Sequence, residues 1–159
     1  MKALIKRMER ARREDLGQSM VEIALILPLF VGLLLGGADL ARAFAIQLAI
    51  QNGARAGAES YAIDQTPTAA EAAAASIAEI SRTPGVKGAL ANVIVWETDS
   101  FGATPCANHP VGGTWTPPSV ANPCYVSVEV QYTFTTTIAW PLIPNTATFD
   151  RVTTFRMFY

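Results

Sequence analysis

Histidine and cysteine are scarce in this chain: 159 residues include one histidine, His109, and two cysteines, Cys106 and Cys124. A structural zinc site draws on about four such ligands, so no metal centre is expected. There is also no Gly-rich phosphate loop, no pair of catalytic carboxylates and no nucleophile elbow. A Cys–His nucleophile needs a free thiol beside its base. A second cysteine favours a bridge instead, and His109 reads as a solvated loop residue. The chain is therefore read as a non-enzyme with no cofactor. Net charge is −1, which gives the molecule no bias toward nucleic acid. Internal repeats and Gly/Ser linkers are missing too, so the length allows one modest domain.

What charge there is sits unevenly. Residues 1–15 hold Lys2, Lys6, Arg7, Arg10, Arg12 and Arg13 against Glu9, Glu14 and Asp15, leaving this tail at +3 and the remainder at −4. A basic end of this kind marks a membrane-facing or leader segment. The run that follows, 20–38, reads MVEIALILPLFVGLLLGGA, with Glu22 its one charge. As a helix it is about 28 Å long, close to the hydrocarbon core of a bilayer. Gly36-Gly37-Ala38 could mimic a secretory cleavage site, but the helical pattern continues past it, which favours a permanent span. The basic tail should then stay in the cytoplasm, with everything after Asp39 on the far side.

Beyond the run, Leu40, Phe44 and Leu48 recur every four residues and share one helix face. Asp39 and Arg42 can pair at i,i+3, for under about 1 kcal/mol. The helix is expected to continue to about Tyr61. Thr66-Pro67 marks a restart, with Pro67 suited to the first helical position, and Thr68-Ala-Ala-Glu71 fits a capping box. An Ala-rich helix with Ile77 and Ile80 should run to about Arg82 and end at Thr83-Pro84-Gly85.

The rest reads as β structure. Residues 91–98 form one short strand. In 124–137 the residues alternate: Cys124, Val126, Val128, Val130, Tyr132 and Phe134 face one way, with Tyr125, Ser127, Glu129, Gln131, Thr133 and Thr135 opposite. That is a half-buried strand. A third candidate, 147–159, carries Phe149, Val152, Phe155 and Met157 without strict alternation, which suggests a bulge or an edge position. The Pro-rich loop 99–123 is long enough to be functional or stapled. Cys106 and Cys124 can staple it, for roughly 3 kcal/mol in the chain-entropy model, provided they lie in an oxidising compartment; in a reducing one they would be free thiols. The fold expected is α+β: a long N-terminal transmembrane and amphipathic helix (18–61) packed on a small antiparallel sheet, with one further helix, the outer domain spanning 62–159.

Glu22 sits one turn inside the apolar run. A carboxylate at mid-bilayer costs about 2.5–3.5 kcal/mol on insertion scales, less near the interface. It is either functional or merely placed among headgroups near its own helix N-terminus. Pro28 removes one helix hydrogen bond, though membrane helices commonly tolerate Pro. Gly32-x-x-x-Gly36 offers a close helix-packing face, in a setting where Gly is common anyway.

The motif Gly17-Gln18-Ser19-Met20-Val21-Glu22, a basic leader ending in Gly and then Glu at the head of an apolar helix, resembles type IV prepilins. The longer stretch GQSMVEIALILPLF…GGADLARAFAIQLAIQNGARAGA is similar to the TadE-like family, pseudopilins of the bacterial tight-adherence (Tad, or Flp) pilus. Gln18-Ser19, Glu22, Pro28 and the Asp39/Arg42/Asn52/Arg55 pattern carry the resemblance; Ile23 departs from it, since Tad pilins place an aromatic there. The resemblance covers about Gly17 to Ala58. It implies a pilin-like fold, a leader (1–17) cut between Gly17 and Gln18 by a prepilin peptidase, and Glu22 as an assembly residue. It also implies other pilin or pseudopilin subunits and the inner-membrane assembly machinery as partners, and a single-pass place in the inner membrane with the outer domain periplasmic or extracellular. The competing reading is a permanently anchored envelope receptor or adhesin, with Trp115 and the Pro-rich loop as its contact surface.

Overall fold

The computed structural model describes residues 2–64, 67–99, 106, 120, 123–141 and 143–158, with side chains from 18 onward. Element order is α1 (Lys2–Ile63), α2 (Ala69–Ser81), a short 3-10 turn (Gly88–Leu90), β1 (Asn92–Asp99), β2 (Cys124–Thr135) and β3 (Thr146–Arg156). The class is α+β, as the sequence pattern indicates. The chain divides into two compact units, Met1–Ala41 and Arg42–Tyr159.

In the first unit the backbone is helical from Lys2, through the segment read as a leader, and Pro28 lies inside α1 without ending it. Loss of one backbone bond is tolerable in a helix this long when neighbouring turns remain bonded.

In the second unit the sheet has the order β1-β2-β3, antiparallel throughout. The alternation read in β2 holds: Cys124, Val126, Val128, Val130, Tyr132 and Phe134 are buried. A strand with one face on a core buries every second side chain. Ser127, on the opposite face, is buried too, its hydroxyl 2.8 Å from that of Thr154. β3 pairs with β2 without interruption from Tyr125↔Arg156 to Thr135↔Thr146, so β3 is an edge strand and carries no bulge. Its core-side residues are Phe149, Arg151, Thr153 and Phe155, opposite Tyr132, Val130, Val128 and Val126. Val152 faces outward, and the missing alternation reflects an edge strand that buries only part of one face.

α2 starts at Ala69, two residues after Pro67 and directly after the Thr68 cap that the capping box indicates. Thr68 is its N-cap, with Oγ1 accepting from the Glu71 amide at 3.2 Å and donating to the Glu71 carboxylate at 2.5 Å. Pro67 thus precedes the cap rather than opening the helix. The helix ends at Ser81, and Gly85 takes a positive φ of 80°, a conformation that costs glycine nothing.

The second-unit part of α1 carries an apolar stripe of isoleucines and alanines into the core: Ile46, Ala49, Ile50, Ala54, Ala58 and Ala62, with Tyr61. Phe44 and Leu48 share a face, as their spacing requires, but that face is exposed, as is Leu40. The phenol of Tyr61 and the amide of Phe158, which donates to the Ala62 carbonyl at 3.2 Å, secure the end of α1. The latter bond satisfies one of the carbonyls a helix C-terminus leaves open.

Candidate functional site

The residues singled out by the sequence fall into two groups, one on each unit. Gly17, Gln18, Glu22, Pro28, Gly32 and Gly36 all lie within α1. Gln18 and Glu22 are exposed and one helical turn apart, about 6 Å along the axis and on one face. Around them Met20, Val21, Ile23, Leu25, Ile26, Leu27 and onward to Leu35 are all exposed. A helix hydrophobic all round that buries none of this surface in its own chain needs an apolar environment from elsewhere. The segment from Gln18 is long and apolar enough to cross a membrane, and none of its most apolar window is buried. Adding a Cβ at Gly32 would meet nothing within 4 Å, so no contact among the described residues requires glycine there.

In the second unit Cys106 and Cys124 are disulfide-bonded, with Cα atoms 5.9 Å apart, and both are buried. The bridge ties the start of β2 to a point seven residues beyond β1. His109 and Trp115 lie outside the described residues.

Two features escaped the sequence reading. The first is Gly53-x-x-x-Gly57 on α1. A Cβ at Gly57 would stand 2.1 Å from Ser76 Oγ and 2.8 Å from the Ala72 carbonyl oxygen; one at Gly53 would stand 2.5 Å from Ile80 Cγ1. α1 and α2 therefore approach closely enough to exclude a methyl group, over Ala72, Ser76 and Ile80. The spacing equals that of Gly32 and Gly36, so the same Gly-x-x-x-Gly signal occurs twice along α1. The second is the buried pair Tyr61 and Glu97. Glu97 falls on the core face of β1 beside Val93 and Val95 and is only 8% exposed. Burial first, then the hydrogen bond to Glu97 and its charge, push the Tyr61 phenol above its ordinary range.

Residues 17–59 match the family model described as TadE-like protein. No curated protein and no solved structure matches the chain. The TadE-like segment opens at Gly17 and closes inside α1, so it takes in the apolar run and the Gly53/Gly57 groove and none of the sheet. The matched residues include the whole of the apolar run 20–38, which is long and apolar enough to cross a membrane.

Proposed function

We propose that this chain is a minor pilin or pseudopilin of a Tad pilus, aiding its assembly or initiation. The observation that carries the reading is the TadE-like match opening at Gly17, five residues before the one acid of the apolar run 20–38. The basic leader lies in the cytoplasm and the apolar run crosses the bacterial inner membrane. The disulfide-bearing domain is periplasmic or extracellular, where a bridge persists.

A prepilin peptidase cuts after Gly17 and frees an α-amine at Gln18, one turn from Glu22. In an apolar bundle of helices, Glu22 of one subunit neutralises the amine of its neighbour. Such a pair fixes register more surely than it adds net stability. Gly32 and Gly36 let neighbouring helices approach. The partners are other pilin or pseudopilin subunits, the peptidase and the inner-membrane assembly machinery. The anchored-receptor alternative depends on Trp115 and the Pro-rich loop, and no described residue favours it.

Intact-mass analysis of membrane-extracted protein tests the processing step. Co-expression with the cognate peptidase should remove residues 1–17, and Gly17→Leu should block the cut, because a scissile site approached by enzyme backbone has no room for a side chain. A chain that stays full length while a known prepilin is cut in the same cells contradicts it.

A further inference from the structure

Between Glu129 and Asp150 the chain carries no charged residue. This stretch holds the second half of β2, the connection 136–145 and the start of β3. The connection reads TTIAWPLIPN. Among the described residues of the connection Ile138, Pro141, Ile143 and Pro144 are exposed and Trp140 is half-buried, so these apolar groups lie at the surface of the domain.

The connection is held in shape. Asn145 Oδ1 accepts from the Trp140 amide at 2.6 Å and from Thr136 Oγ1 at 3.1 Å. Its side-chain nitrogen donates to the Trp140 carbonyl at 3.3 Å, and its own carbonyl accepts from the Thr136 amide at 2.9 Å. The connection is also tied to α1. Arg42 donates to Thr137 Oγ1, and its guanidinium lies over the Phe134 ring, 5.5 Å from the centroid. Phe134 in turn stacks on Phe149 at 6.0 Å.

Arg42 follows the last residue of the apolar run, Ala38, by four positions. Four residues span at most about 14 Å even when fully extended. Once the run fills the hydrocarbon layer, Arg42 and the connection it holds must therefore lie at or near the headgroup region. Tryptophan is enriched there, where an amphipathic ring has both an apolar and a wet side. A charge-free, apolar, preorganised tip tethered that close to the bilayer fits lipid better than a soluble partner.

We propose that the 136–145 connection is a membrane foot: Ile138, Trp140 and Ile143 seat in the interfacial layer of the bilayer that α1 crosses. The proposal rests on the reading of 20–38 as a membrane span. The test uses the full-length chain in phosphatidylcholine/phosphatidylglycerol vesicles, with Trp96→Phe and Trp115→Phe leaving Trp140 as sole indole. Its emission should be blue-shifted and should be lost when the lipids are brominated near the headgroup end of their chains, at every protein-to-lipid ratio. A companion with Trp96 alone, on the outward face of β1, should keep its emission. In the otherwise unaltered chain, Trp140→Phe should remove the bromine-sensitive component, which covers a folding failure of the multiple variant.

Emission at the wavelength of a water-exposed indole, freely quenched by acrylamide, overturns the foot. So does a blue shift seen only at high protein density and insensitive to bromine, which would mean contact between copies. Vesicle flotation separates the two claims: a chain that floats with its Trp140 unquenched loses the foot and keeps the anchor, and one that does not float loses both.

Discussion

The Tyr61 hydroxyl, two residues from the end of α1, donates to Glu97 Oε1 of β1 at 2.5 Å within the core. A buried carboxylate deprived of a donor retains its desolvation penalty. Tyr61→Phe should therefore destabilise the second unit by about 1–3 kcal/mol. Urea unfolding of the full-length chain in mild detergent measures this. Because the two groups touch, Tyr61→Phe combined with Glu97→Leu should cost less than the sum of the single changes.

The same pair sets an alkaline limit. The folded phenol ionises above its ordinary value, which for tyrosine is about 10. Below that pH the phenol is protonated in both states, and its stabilising contribution is complete. Above it the unfolded phenol releases a proton while the folded one keeps it, so stability falls as pH rises toward the raised value. The advantage of the unaltered chain over Tyr61→Phe should thus be constant from pH 7 to 9 and shrink above about 10. An advantage that grows with alkalinity would contradict the assignment.

Gly57→Ala forces a methyl group against the Ala72 carbonyl oxygen at 2.8 Å as well as the Ser76 hydroxyl. Ser76 can rotate at the loss of its 3.0 Å bond to the Ala72 carbonyl, but the backbone cannot. Overpacking of this kind costs about 1–3 kcal/mol, against the roughly 0.5–1 kcal/mol that alanine gains over glycine in a helix. The net change should be destabilising. Gly32→Ala meets nothing and should leave unfolding of the second unit unchanged.

Free-thiol labelling of the native protein should find no reactive cysteine, since Cys106 and Cys124 are bonded. Replacing both by serine should lower stability by about 3 kcal/mol, the loop-closure entropy released to the unfolded chain.

How much of this was legible beforehand depended on how local the cause was. The β2 face from Cys124 to Phe134 could be read because a strand against a core has a period of two. Thr68 could be read because a cap is a contact across three residues. The core stripe of α1 could not. Leu40, Phe44 and Leu48 are exposed, while the buried face mixes Ile46 and Ile50 with Ala49, Ala54 and Ala58, and its contact with α2 turns on Gly53 and Gly57, where a Cβ would meet Ile80, Ser76 and the Ala72 carbonyl. Glu97 could not be read either, since its partner lies 36 residues away and only the fold brings them together. At the N-terminus, the stretch read as TadE-like from about Gly17 to Ala58 coincides with the family match over residues 17–59.

The central claim is that Glu22 acts between subunits and not within one. Glu22 is exposed and belongs to the first unit, so Glu22→Ala should leave the disulfide-bearing domain intact. Removing the acid from lipid should not harm insertion. The decisive measurement is a count of surface pili in cells carrying Glu22→Ala, beside protease resistance of the outer domain in the same cells. Lost pili with a resistant domain is the expected result; normal pili with a resistant domain would contradict the account.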